Sequence, residues 1–162
     1  MSRMDELART VLKAAQARNI KIATAESCTG GMIAAALTEI PGSSSVVDRG
    51  FVTYSNEAKM DMLGVNAATL DNYGAVSEEV AREMADGALR NSAADLAVSV
   101  TGIAGPGGSD FKPEGRVCFG LAMPGKDTVT ELVEFGPLGR ENVRIESTKK
   151  ALLLLIQASK QL

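Results

Sequence analysis

Histidine and tryptophan are absent from these 162 residues, and other aromatics are few, with four phenylalanines and two tyrosines. Without an imidazole, every His-dependent serine or cysteine triad is excluded, together with histidine-bearing metal sites. The shortage of aromatics removes the platforms on which single-stranded bases stack. Seventeen basic against twenty acidic side chains give a formal charge of −3. That balance excludes a broad nucleic-acid surface and leaves room for a small anion. Two cysteines, Cys28 and Cys118, have no zinc-type spacing, and the acids are scattered as on solvated helix faces, so no metal or cofactor is expected. No apolar run reaches membrane-spanning length, and the first twenty residues alternate charge on a helical period instead of forming a basic-then-apolar leader. A cytoplasmic protein with reduced thiols and no membrane partner is the expectation.

What is present suits a packed fold. Hydrophobic residues make up 45% and charged residues 23%, the ordinary globular range, and the length predicts one domain over residues 1–162. Met4, Leu7, Ala8, Val11, Leu12 and Ala15 recur at helical spacing. Ile20 to Ala25 reads as a strand, and Gly30-Gly31 leads into a buried helix over Met32 to Leu37. A second strand is predicted over Val46 to Tyr54. Ser55 or Asn56 then caps a short helix that ends at Gly64. Ser77, Glu78 and Glu79 open another helix, and Leu96 to Val100 reads as a buried strand. Arg116 to Met123 and Thr128 to Phe135 form a hairpin around Pro124-Gly125, and a last helix runs from about Gly139 to Leu162, with Leu162 on its inner side. Alternating strands and helices with one terminal hairpin predict a three-layer α/β/α sandwich whose mainly parallel, mixed sheet has one antiparallel member. Ligands of such sheets bind beyond the carboxyl ends of the strands.

Three segments fall at such ends. Thr24 to Gly31 sets Ser27 beside main-chain amides entering a helix, which suits a nucleophile with an oxyanion site and equally suits a helix cap. A serine nucleophile needs a base, and with no histidine the candidate is a lysine whose proton is lost in an apolar setting. Cys28 is a rival thiol that also fits as buried packing, and Cys118 lies in a predicted strand and reads as core. Thr101 to Gly108 holds four glycines within seven residues, a tight loop or a phosphate cradle that lacks the Walker lysine, with Lys112 and Arg116 just beyond.

The strings TAESCTGG at Thr24 to Gly31, YSNEAK at Tyr54 to Lys59, TGIAGPGG at Thr101 to Gly108 and KPEG at Lys112 to Gly115 resemble the CinA C-terminal domain family, over essentially the whole chain and in the family's order. The length is similar to the family's short standalone form, without the amino-terminal nucleotide-processing domain of longer members. The resemblance implies hydrolysis of the carboxamide of nicotinamide mononucleotide to nicotinate mononucleotide and ammonia, in pyridine-nucleotide recycling. It implies Ser27 as nucleophile, Lys59 as base and Tyr54 as a hydrogen-bonding assistant. For substrate binding it implies the main chain of Thr29, Gly30 and Gly31, then Thr101, Gly102 and Arg140. Where the family has a Gly-Asp-Arg triplet, this chain has Leu138-Gly139-Arg140. The alternative is a non-catalytic nucleotide-binding or regulatory module linked to competence or DNA damage, which would have no need of the Ser27–Lys59 pair. The partners expected are a small nucleotide and a second copy of the chain, as a homodimer or higher homo-oligomer.

Overall fold

The computed structural model describes residues 2–109 and 111–162. Its elements follow the order α1 (Arg3–Ala17), β1 (Ile22–Glu26), α2 (Met32–Thr38), β2 (Val47–Val52), α3 (Asn56–Leu63), α4 (Ala67–Tyr73), α5 (Glu78–Arg90), β3 (Leu96–Gly102), β4 (Arg116–Ala122), β5 (Val129–Glu134) and α6 (Arg140–Ser159). The strands form one sheet in the order β2-β1-β3-β4-β5. β1 pairs parallel with β2 and β3, whereas β4 pairs antiparallel with β3 and β5. Only β4 therefore opposes the common direction, as the predicted sandwich requires.

The two faces of the sheet carry side chains of different size. Ile22, Leu96, Val98, Val100, Val117, Phe119 and Leu121 pack with α1, α2 and α6 in one apolar cluster. The other face presents Ala23, Ala25, Ala97 and Ala122 to α5 and the end of α3. Small residues let α5 lie close: Ser99 Oγ donates to the Ala81 carbonyl at 2.6 Å, and a Cβ added at Gly120 would sit 2.6 Å from that same oxygen. Gly87 serves the α3–α5 crossing in the same way, since a Cβ there would come within 2.0 Å of the Leu63 carbonyl.

The register sets the site. Glu26 is opposite Val52 on one side and Val100 on the other, so β1 and β2 end level while β3 runs on two residues to Gly102. Ser27, Thr53 and Thr101 stand one step beyond that line, where the chain leaves β1 for β2 on one flank and β3 lies on the other. This is the topological switch point at which open α/β sheets take their ligands. α4 has no counterpart in the sequence pattern for a physical reason: it buries none of its residues, so it has no apolar periodicity to read. Leu162 lies past the end of α6 and is exposed, contrary to the inner position expected for it. Among the described residues, no helix is long and apolar enough to cross a membrane.

Candidate active site

Ser55 begins α3 by accepting a hydrogen bond from the Ala58 amide at 3.0 Å, and Gly64 ends the helix with φ 70°. That short helix carries Lys59 inward to 1% exposure. Its ammonium Nζ donates to Ser27 Oγ at 2.9 Å, to the Thr53 carbonyl at 3.0 Å and to the Tyr54 carbonyl at 3.2 Å. Burial pulls the Lys59 amine down from its ordinary 10.5 to about 8, with the nearby Cys28 thiol acting weakly the other way. Two carbonyls hold two N–H groups. In the neutral amine the remaining position toward Ser27 is a lone pair, which accepts the hydroxyl proton. The pair thus has the geometry of base and nucleophile.

Ser27 does not cap α2. The residue at the start of that helix is Gly31, with no side-chain cap of its own. The capping is done by Glu26, whose buried carboxylate accepts from the Thr29 hydroxyl at 2.6 Å and from the Ile33 and Ala34 amides at 2.9 and 3.0 Å. The serine is left free for Lys59. Glu26 was not singled out in the sequence, where an acid ending a strand carries no local signal for a helix that starts six residues on. Thr29 is fully buried by this arrangement, and neither it nor Gly30 nor Gly31 lines the cleft. The Gly30 amide is spent on the Ser27 carbonyl at 3.0 Å.

Cys28 lines the cleft beside Ser27, but desolvation foremost pushes its thiol up to about 12. A thiol held in that state is a poor nucleophile. Cys118 is fully buried in β4, its thiol likewise raised by burial, to about 11.

The cleft above the pair holds about 400 Å³. Its far wall is the chain from Thr101 to Ser109, with Lys112 and Arg140. Thr101 Oγ1 donates to the Ala75 carbonyl at 2.9 Å, and Gly102 approaches β4 so closely that a Cβ would meet Val117 at 2.7 Å. Arg140, the first residue of α6, donates to the Gly105 carbonyl at 2.7 Å and to the Tyr54 hydroxyl at 2.9 Å. Tyr54 is exposed at the rim: its side chain meets Arg140, while its main chain meets Lys59. Glu114, given no role of its own from the sequence, accepts from the Gly107 amide at 2.7 Å and the Gly139 amide at 3.0 Å, tying the glycine loop to the start of α6. Lys59, Lys112 and Arg140 face the cleft, and no acidic side chain among its described lining residues opposes them. A chain of net charge −3 thus keeps a cationic pocket. Among the described residues no three acids or cysteines cluster as metal ligands.

Fold and site define a three-layer α/β protein with a buried serine–lysine pair at its switch point. The chain belongs to the CinA C-terminal domain family, whose sequence profile matches residues 4–159. It is 53% identical over 146 residues to a nicotinamide-nucleotide amidohydrolase PncC of Enterobacter agglomerans, covering 90% of this chain and 88% of that one. It is 59% identical over 112 residues to a CinA-like protein of Chloroherpeton thalassium, covering 68% of this chain but only 27% of that longer protein. The crystal structure of the competence/damage inducible protein CihA from Agrobacterium tumefaciens superposes with a TM-score of 0.93 at 49% identity, over 97% of this chain and 96% of that one.

Proposed function

We propose that this protein hydrolyses the carboxamide of nicotinamide mononucleotide, releasing ammonia and nicotinate mononucleotide for pyridine-nucleotide recycling. The observation that carries the reading is the 2.9 Å contact between Ser27 Oγ and a buried Lys59 amine in a cationic cleft. The E. agglomerans relative, matched over most of both chains, is named for that class of reaction.

Neutral Lys59 takes the Ser27 proton as Oγ bonds to the carboxamide carbon and the carbonyl oxygen gains negative charge. The protonated amine then delivers that proton to the amide nitrogen, the C–N bond breaks and ammonia leaves. Water, deprotonated by the same amine, attacks the acyl-serine, and the C–Oγ bond breaks to free the carboxylate and restore Ser27. The Cys28 amide, next to Ser27 in the chain at the cleft, is the main-chain donor assigned to the oxyanion. Arg140 and Lys112 supply positive charge for the ribose phosphate along the glycine loop, with Tyr54 and Thr101 bounding the space between.

Ammonia release by the purified protein from nicotinamide mononucleotide, nicotinamide and nicotinamide riboside tests this. Release from the mononucleotide, at least about tenfold faster in kcat/KM than from the other two, is expected. Equal rates on all three would remove phosphate recognition, and no release from any would remove the enzyme reading.

A further inference from the structure

The turn that carries Ser27 is held at the carbonyls of Ser27, Cys28 and Thr29. The Ser27 amide donates to the Val100 carbonyl at 3.0 Å, which pins the residue to β3, and the Ser27 carbonyl accepts from the Gly30 amide at 3.0 Å. The Thr29 carbonyl accepts from the Met32 amide at 3.0 Å. The peptide between Cys28 and Thr29 has no such main-chain partner. Its carbonyl is held instead from a distant part of the chain, by Nε of Arg144 at 3.0 Å, while Nη2 of the same guanidinium reaches the Thr29 carbonyl at 3.5 Å. Arg144 lies one helical turn after Arg140 on α6, so arginines one turn apart on one helix hold the glycine loop and the Ser27 turn. The approach is close: a Cβ at Gly30, where φ is 57°, would stand 3.2 Å from Arg144 Nη2.

We propose that Arg144 is a positioning residue for the reaction, holding the Cys28–Thr29 peptide so that Ser27 Oγ and the Cys28 amide keep the geometry that attack requires. The inference rests on the serine mechanism proposed above. A guanidinium is suited to the task because its planar fork serves two carbonyls at once, which a lysine ammonium on its flexible stem does less well. The carbonyl of a trans peptide and the amide of the next residue point opposite ways, so fixing the Cys28 carbonyl also fixes the Thr29 amide. Together with the Gly30 hydrogen bond, this leaves the main chain on both sides of Cys28 no freedom to rotate. Arg144 does not line the cleft, so its loss should act on the barrier and spare substrate binding. Displacements of about 1 Å at a reacting group cost on the order of 100-fold in rate.

The test compares Arg144→Met and Arg144→Lys with wild type, at a temperature well below the melting point of each. Two readouts are followed: steady-state kinetics on nicotinamide mononucleotide, and the rate at which phenylmethylsulfonyl fluoride labels Ser27, read by mass spectrometry. The second needs no nucleotide, so it stands even if the substrate assignment fails. Arg144→Met should lose about 100-fold in kcat with KM within threefold, and Ser27 labelling should slow in parallel. Arg144→Lys should recover about tenfold of that loss, and the pH midpoint of the rate should stay at the wild-type value in both. If Arg144→Met does not fold, Arg144→Lys is read alone, with an expected loss of about tenfold. Wild-type kcat and labelling rates in folded variants would overturn the proposal. A raised KM at constant kcat would overturn it too, since that would make Arg144 a substrate contact.

Discussion

Lys59 and Lys112 face the same cleft and are bound alike at first sight, each giving hydrogen bonds to two main-chain carbonyls. Lys59 holds those of Thr53 and Tyr54, and Lys112 those of Tyr73 and Val76, both at 2.6 Å. The difference lies in what else surrounds the amine. Lys112 is only partly buried and ties the glycine loop to the segment between α4 and α5; Gly74 makes room for it, since a Cβ there would lie 2.9 Å from Nζ. Lys59 is almost wholly buried and its third contact is a serine hydroxyl. A pair of carbonyls makes a lysine a staple. Burial, which lowers the cost of losing the proton, and a neighbour with a proton to give suit it to the role of base proposed above.

The sharpest break in that comparison comes from the Ser27–Lys59 pair itself. Ser27→Ala should abolish the acyl-enzyme and lower kcat at least about 10⁴-fold, and Lys59→Ala should fall nearly as far, with partial recovery at alkaline pH or with a small added amine. For wild type, the Lys59 amine at about 8 predicts a rate that rises through that pH and levels above it, as measured by kcat/KM against pH. Lys112→Ala should leave that midpoint in place.

The second effect is on stability. The folded state binds the Lys59 proton less tightly than the unfolded chain, whose lysine titrates near 10.5. Below pH 8 both states carry the proton and the penalty of the buried charge is fully present; between about 8 and 10.5 the unfolded chain holds more protons, so this group makes stability rise with pH. Denaturant unfolding of wild type and Lys59→Met should therefore differ by an amount that shifts in favour of wild type by up to about 3 kcal/mol across that window. A difference that stays constant with pH would mean that Lys59 is not shifted.

The smallest effects belong to the far wall. Arg140→Ala should raise KM for the phosphorylated substrate by about 10- to 100-fold with kcat within a few-fold, because a group holding a remote phosphate serves ground state and transition state alike. Lys112→Ala should raise KM by less than about tenfold, since its hydrogen bonds go to protein carbonyls and it meets the substrate only as a charge. A large fall in kcat for either would move that residue to the reacting wall.

Local pattern alone determined a good deal of this molecule. The apolar period of α1, the Ser55 and Gly64 bounds of α3, the Ser77 start of α5 and the hairpin of β4 and β5 are written in consecutive residues, because caps, turns and amphipathic faces act over a few positions. The lack of histidine left lysine as the candidate base, and the motif strings pointed to Lys59. Tertiary structure decided the rest. The register of β1 against β2 and β3 brings Ser27 to a lysine 32 residues away, and the depth at which α3 buries it sets the amine near 8. Glu26 as the cap of α2, Glu114 between the glycine loop and α6, and Arg144 on the Ser27 turn from 116 residues away follow no spacing rule, because each joins groups that only packing makes neighbours. For the same reason Thr29, Gly30 and Gly31, close in sequence to Ser27, fall outside the cleft: the chain turns away from it at Cys28, and Glu26 draws the Thr29 hydroxyl into the interior.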